Sequence, residues 1–215
     1  KLEASLEAKG FVVLNWVDGG WVHFFAKKPV AVPDDLRKLK LFSWAGDAES
    51  VEIWRSAGFN PVPLPSTEIA TALQTGLVEA LGAPPQVAVI SQFFNNARNM
   101  TDLKWQLLQG ATIITKATWE KIPADVRPEL LRVSREAGAR LQKEIRDAEA
   151  KDVEAMKKRG LTVVPVSAAQ RAQWQKLTES IYPRIRGKVV PAEAFDEAMR
   201  LRDEFRKQRG AAAGK

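Results

Sequence analysis

Residues 58–81 read GFNPVPLPSTEIATALQTGLVEAL, and the order of signals in this stretch decides the fold class. Gly58 can close one helix. Residues 61–64 form a short strand punctuated by Pro61 and Pro63, and Ser66-Thr67 then announces a helix over residues 68–75. A hydroxyl at Ser66 or Thr67 would accept from the first free backbone N–H groups of that helix, with Glu68 placing a negative charge in its first turn. Ile69, Ala72 and Leu73 fall on one face, as a helix packed on a sheet requires. Gly76 suits the left-handed residue beyond a helix end, and an apolar segment runs on to Leu81.

Just upstream, residues 39–44 read as a strand. Gly46-Asp47 then begins a helix with Asp47 as N-cap and Val51, Trp54 and Ala57 on its buried side. Residues 39–81 therefore alternate strand, helix, strand, helix, strand, which predicts an α/β fold with parallel β-α-β units and right-handed crossovers. Ligands of such sheets bind outside the carboxyl ends of the strands. Those ends are residues 44–47, 64–67 and 81–84. Each precedes a helix start whose free N–H groups favour an anion or a hydrogen-bond acceptor.

Toward the N-terminus, residues 11–16 and 21–26 read as two strands joined by a turn at Asp18-Gly19-Gly20, and Pro33-Asp34-Asp35 opens a short helix. Toward the C-terminus, Pro84-Pro85 opens a helix carrying Val87, Val89, Ile90, Phe93 and Phe94. Residues 100–110 are ambiguous, 111–115 read as a strand, and Thr118-Trp119 begin a helical turn. A helix over 125–159, closed by Gly160, has a narrow apolar stripe of Leu130, Val133, Ala137, Leu141, Ile145, Ala148 and Val153. That stripe suits either a helix lying along two lobes or a coiled-coil seam. A strand follows over 161–166. Ser167 caps a helix that Pro183 stops, a last helix covers 191–208, and GAAAGK is expected to fray.

Composition narrows the chemistry. The 215 residues include no cysteine and one histidine, His23, which excludes disulfides, thiolate nucleophiles and Cys- or multi-His metal sites. No metal and no cofactor is expected. No apolar run reaches the roughly 18 residues that span a bilayer. The opening KLEASLEAKG reads as the end of a helix and not as a signal peptide, so further chain is expected upstream. The formal charge of +7 is unevenly placed, with nine Lys/Arg and ten Asp/Glu in residues 1–100 and 24 and 16 in the remainder. Solvated helix faces are the bland reading of that excess; a basic patch for nucleic acid or acidic lipid is the sharper one. Nucleic acid is not the expected partner. No nucleophile–base pair or cofactor motif is present, so no enzyme is expected.

Three segments together, KKPVAVPDDLRKLKL (27–41), GFNPVPLPSTEIATALQTGLVEAL (58–81) and ITKATWEKIPADVRPELL (114–131), resemble the DctP-type substrate-binding subunit of TRAP transporters. Order and spacing match over residues 8–182. The resemblance implies a periplasmic-binding-protein-like α/β fold with a long lobe-spanning helix and C-terminal helices. It also implies a periplasmic protein that closes on a small-molecule ligand and delivers it to membrane permease subunits. On that template residues 26–84 form a substrate-binding lobe. Residues 1–25 and 85–122 belong to the other lobe and the crossover strands, 123–160 to the spanning helix and 161–215 to the C-terminal strand and helices. A portion of roughly a hundred residues is missing at the N-terminus by ordinary domain sizes. A truncated scaffold would leave a sheet edge exposed, which favours self-association and makes an assembly protein the alternative reading.

The resemblance also locates departures. The family's carboxylate-clamping Arg falls at Phe42, a second basic position at Val22, and an Asn at Ala83. Phe42 and Trp44 share a strand face. The expected ligand-binding residues are Val22, Phe42, Trp44, Asp47, Ser66, Thr67, Ala83 and Gln92. An apolar or aromatic-compatible ligand is expected in place of a small dicarboxylate, with Phe42 and Trp44 as plain core the competing reading. Arg98 is the one other cation considered for a ligand carboxylate. His23 is expected to face away from the site as a hydrogen-bonded structural residue.

Overall fold

The computed structural model describes residues 2–213. Its elements in chain order are α1 (Leu2–Ala8), β1 (Phe11–Ala26), α2 (Pro33–Arg37), β2 (Lys40–Trp44), α3 (Ala48–Ser56), β3 (Asn60–Leu64), α4 (Ile69–Thr75), β4 (Ala80–Ala83) and α5 (Pro85–Ile90). Then come β5 (Asn99–Thr101), β6 (Gln106–Thr115), α6 (Lys116–Lys121), α7 (Arg127–Lys157), β7 (Thr162–Val164), α8 (Ala168–Ile185) and α9 (Ala192–Ala213). Of the tail expected to fray, residues 210–213 continue α9, and 214–215 lie outside the described residues.

The main sheet has the order β3-β2-β4-β1-β5-β7. As the β-α-β pattern predicts, β2 is parallel to both β3 and β4. Strand β1 is antiparallel to β4 and β5, and β5 is parallel to β7. Pro61 and Pro63 are tolerated in β3 because it lies at the sheet edge, where missing N–H groups break no ladder on the far side. The sheet and its cores reach past residues 26–84, since α5, β5, β7 and α8 all join them.

Alternation along the strands builds two cores. Phe25 and Phe42 point to one face, with Leu73, Phe94 and Met156. Phe24 and Leu41 point to the other, with Leu36, Phe59, Trp174 and Leu177. Helices thus cover both faces, as a largely buried sheet demands. Phe24 stacks on Trp174 with ring centroids 5.4 Å apart, and the Trp174 indole N–H donates to the Ala31 carbonyl at 2.9 Å.

The expected turn at Asp18-Gly19-Gly20 is not a turn. β1 runs unbroken for 16 residues, and residues 11–22 pair with β6 in a two-stranded ribbon. The ladder shifts register between Asp18 and Trp21, so the extra residues form a bulge. Gly20 takes φ +92° there, and a Cβ would come within 3.3 Å of Ile145. Asp18 is only 2% exposed, paired with Arg146 at 2.5 Å and accepting from Gln142, both on α7. Burial pushes the Asp18 carboxyl up. The hydrogen bonds from Arg146 and Gln142, the Arg146 charge and the Gly20 N–H outweigh that effect and hold it below the ordinary value.

The same contacts correct the reading of α7. The row packed on β1 is small and polar: Ser134 accepts from Asn15 at 2.7 Å, Gly138 lies against Asn15 and the Trp16 carbonyl, and Gln142 and Arg146 reach Asp18. Ile145 is buried, but Val133 and Leu141 on the expected apolar stripe are exposed. Solvent-side ion pairs at helical spacing, such as Arg132 with Glu129 and Glu136 and Arg200 with Glu197 and Glu204, occupy many of the basic groups of this half.

Other boundaries moved for local reasons. Pro183 does not stop α8. It lies in the last turn, where only one backbone bond is lost, while Ile181 and Ile185 hold that turn to the core. Ser167 caps α8 as expected and forms a reciprocal capping box with Gln170. Neither Ser66 nor Thr67 caps a helix by its side chain. Residues Ser66–Glu68 make a tight 3₁₀ turn in which the Glu68 N–H donates to the Pro65 carbonyl instead. α6 starts at Lys116 with Thr115 as cap, two residues before the expected start.

Arg146→Met should lower the unfolding free energy by about 1–3 kcal/mol at neutral pH, because it leaves a buried carboxylate short of its main partner. Urea denaturation measures this. Since the folded-state value of Asp18 is depressed, the pair stabilises above the unfolded value near 3.8 and loses its effect as pH falls through the folded value. The gap between variant and wild type should therefore narrow under acid. Asp47→Ala should cost about 1 kcal/mol through loss of the α3 cap, and Asp47→Asn close to nothing, since Asn caps as well as Asp. Equal losses from both variants would refute the capping role.

Candidate functional site

The carboxyl ends of β2, β3 and β4 converge on one cavity of about 490 Å³, as the topology requires. The Trp44 carbonyl accepts from the Asp47 N–H at 3.2 Å, and Gly46 takes φ +92°. Trp44 and Asp47, at the two ends of this tight turn, both line the cavity. Ser50 donates to Asp47 from its N–H at 3.0 Å, and hydrogen bonds from its hydroxyl and N–H hold the Asp47 carboxyl below the ordinary range.

Six of the eight residues expected at the site line this cavity: Val22, Phe42, Trp44, Asp47, Ser66 and Ala83. Phe42 and Trp44 share a face, with ring centroids 5.1 Å apart in an edge-to-face arrangement. Phe42 is buried and belongs to the core, whereas Trp44 is 58% exposed. Thr67 is not among the lining residues; it sits exposed on the 3₁₀ turn that replaced the expected cap. Gln92 does not reach the cavity either. α5 ends at Ile90, Gln92 turns the chain at φ 55°, and its side chain accepts from Asn95 at the wall of a separate, smaller cavity.

Part of the remaining wall comes from residues the sequence reading placed elsewhere. Trp105, Gln106 and Leu108 lie in the stretch whose pattern was ambiguous, and Trp54 had been assigned to a buried helix face. Trp54 does pack with Phe24 and Trp105, so it serves as core and wall together. The recurring aromatics at 42, 44, 54 and 105 were the available signal; only their spatial convergence was hidden.

Charge at the site is lopsided. Among the described residues, Asp47 is the one ionisable side chain lining the cavity, and no Lys, Arg or His accompanies it. Arg98 lies elsewhere, donating to the Asn95 carbonyl at 3.1 Å. Lys104 pairs with Glu149 at 3.3 Å and sits over the Trp21 ring. His23 is buried, with Nδ1 donating to the Thr101 carbonyl at 3.0 Å and Nε2 3.8 Å from Glu149. It does not line the cavity. The described residues contain no cluster able to hold a metal ion and no helix long and apolar enough to cross a membrane.

Comparison with known proteins fits this architecture. The profile of the bacterial extracellular solute-binding protein family 7, DctP, matches residues 1–188. The 2,3-diketo-L-gulonate-binding periplasmic protein YiaO of Escherichia coli is 27% identical over 164 residues, covering 76% of this chain and 50% of that protein. The C4-dicarboxylate-binding periplasmic protein DctP of Rhodobacter capsulatus is 27% identical over 189 residues, covering 87% and 56%. A TRAP periplasmic solute-binding protein of Shewanella oneidensis, solved with bound succinate, shares the fold at a TM-score of 0.81 and 24% identity over 88% of this chain and 62% of that one. The chain thus spans little more than half the length of these curated relatives. The chain belongs to the DctP family of bacterial extracellular solute-binding proteins.

Proposed function

We propose that the chain carries the ligand-binding part of a periplasmic solute-binding protein in a TRAP-type transport system. It captures a small molecule without chemical change and delivers it to membrane permease subunits. The ligand is an apolar or aromatic-compatible molecule and not a small dicarboxylate. One observation carries this reading: the cavity at the strand ends has Phe42 where the family resemblance puts a carboxylate-clamping Arg, and among the described residues no cation lines it. Desolvating a carboxylate without a partner costs several kcal/mol, so the scaffold is inherited while its anion selectivity is not. The relatives named above are described as binding 2,3-diketo-L-gulonate, C4-dicarboxylates and succinate, all of them carboxylates. The departure that the family resemblance locates at Phe42 removes the charge partner such a ligand would need.

A second reading is favoured by the open edge of the ribbon. β6 has β1 as its one strand neighbour among the described residues, and Ile113 on it is exposed. An assembly protein would bury such an edge, and sedimentation across protein concentration separates the readings, since a solute-binding protein should stay monomeric.

A thermal-shift screen with aromatic, lipid-like and dicarboxylate compounds tests the main reading. The expected outcome is a ligand-dependent rise in Tm with aromatic or apolar compounds and none with succinate. A strong shift with succinate alone would overturn it. Phe42→Arg should lose stability without ligand, because Phe42 is buried, and regain part of it with succinate if position 42 faces the ligand.

A further inference from the structure

At each of the three helix starts that should attract an anion, one donor is taken or missing. At α3 the Ser50 N–H is taken by the Asp47 carboxylate, which also sets a negative charge where an anion would sit. At the Ser66–Glu68 turn the Glu68 N–H donates to the Pro65 carbonyl. At α5 the first positions are Pro84 and Pro85, which have no N–H to offer. The cavity therefore combines one ionised carboxylate, no lining cation among the described residues, and the Phe42–Trp44 aromatic pair. Aromatic faces attract cations through their quadrupole, and a carboxylate at the same mouth adds a charge partner.

We infer that the cavity takes an organic cation, a primary amine or quaternary ammonium bearing an apolar body. Its charged head sits at the mouth formed by Asp47 and Trp44, and its body packs against Phe42, Val22 and Ala83. This rests on the solute-binding reading above and adds the sign of the ligand's charge to it. Ser43, Ser50, Ser66 and Ser91, which also line the cavity, offer hydroxyl oxygens to the N–H donors of a primary ammonium. Asp47 stays ionised through neutral pH, its carboxyl being held below the ordinary range by Ser50.

Three probes of similar shape separate charge from apolar packing: 2-phenylethylamine, 2-phenylethanol and 3-phenylpropionate, each titrated calorimetrically into the full chain at low salt. The amine should bind at least about tenfold tighter than the alcohol, with the propionate weakest. Raising the salt concentration should shrink the amine's advantage. Asp47→Asn, which keeps the helix cap, should bring amine and alcohol to within about twofold of each other. Equal binding of amine and alcohol to the wild type would overturn the cationic assignment and leave the apolar-solute reading standing. Preference for the propionate would overturn both. Binding of none of the three would overturn the cationic assignment, and the broader screen would then decide the solute-binding reading by itself.

Discussion

A buried carboxylate in the middle of one strand constrains this structure more than any single apolar contact. Asp18 sits in β1 at 2% exposure and is held by Arg146 and Gln142 of α7. A carboxylate at that depth is tolerable only with such partners, so strand and helix are fixed to one another at this point. The bulge that turns Asp18 toward α7 also lets β1 continue without a break. The strand leaves its ribbon with β6 at Val22 and enters the main sheet at His23, opposite Ala83 of β4. Val22 and Ala83 both face the cavity. The geometry of the site therefore depends on a polar contact that does not touch it.

The parts legible in the sequence were those where local chemistry and tertiary packing agree. The alternation over residues 39–81, the Asp47 and Ser167 caps and the left-handed Gly76 all appear where the chain's own spacing put them. The parts that were not legible involve competition between local and distant partners. Asp-Gly-Gly is a strong turn signal by itself, and only the Arg146 and Gln142 side chains more than a hundred residues away make it a bulge. Likewise the α7 stripe was read from hydrophobicity, while the row that packs is chosen by close approach at Gly138 and by the needs of Asp18 and Asn15. Apolar periodicity says which helix face could be buried, not which face a polar strand will bind.

The site divides along the same line. Phe42, Trp44 and Asp47 line the cavity because they follow from strand alternation and a short turn. Thr67 and Gln92 do not, because each depends on where a helix starts or stops within one or two residues, and a 3₁₀ turn and a left-handed Gln92 decide those. Gln106 and Leu108 come from β6, with Trp105 just before it, and the polar and glycine-containing sequence of β6 hides its strand character until β1 pairs with it.

Phe42 shows why the two readings of the aromatic residues, core or ligand wall, were never exclusive. The side chain is buried in the same cluster as Leu73 and Phe94 and also lines the cavity with Trp44. Packing in the core fixes its rotamer, and a fixed ring makes a rigid wall. A cation at that position would have to be paired by the ligand's own charge, or remain uncompensated in the core whenever the cavity was empty. A phenyl ring carries no such obligation. On the proposed reading, Phe42 in place of a cation would move the charge requirement of the cavity from its floor to its mouth, where the exposed Asp47 would meet a cation without burying an unpaired ion.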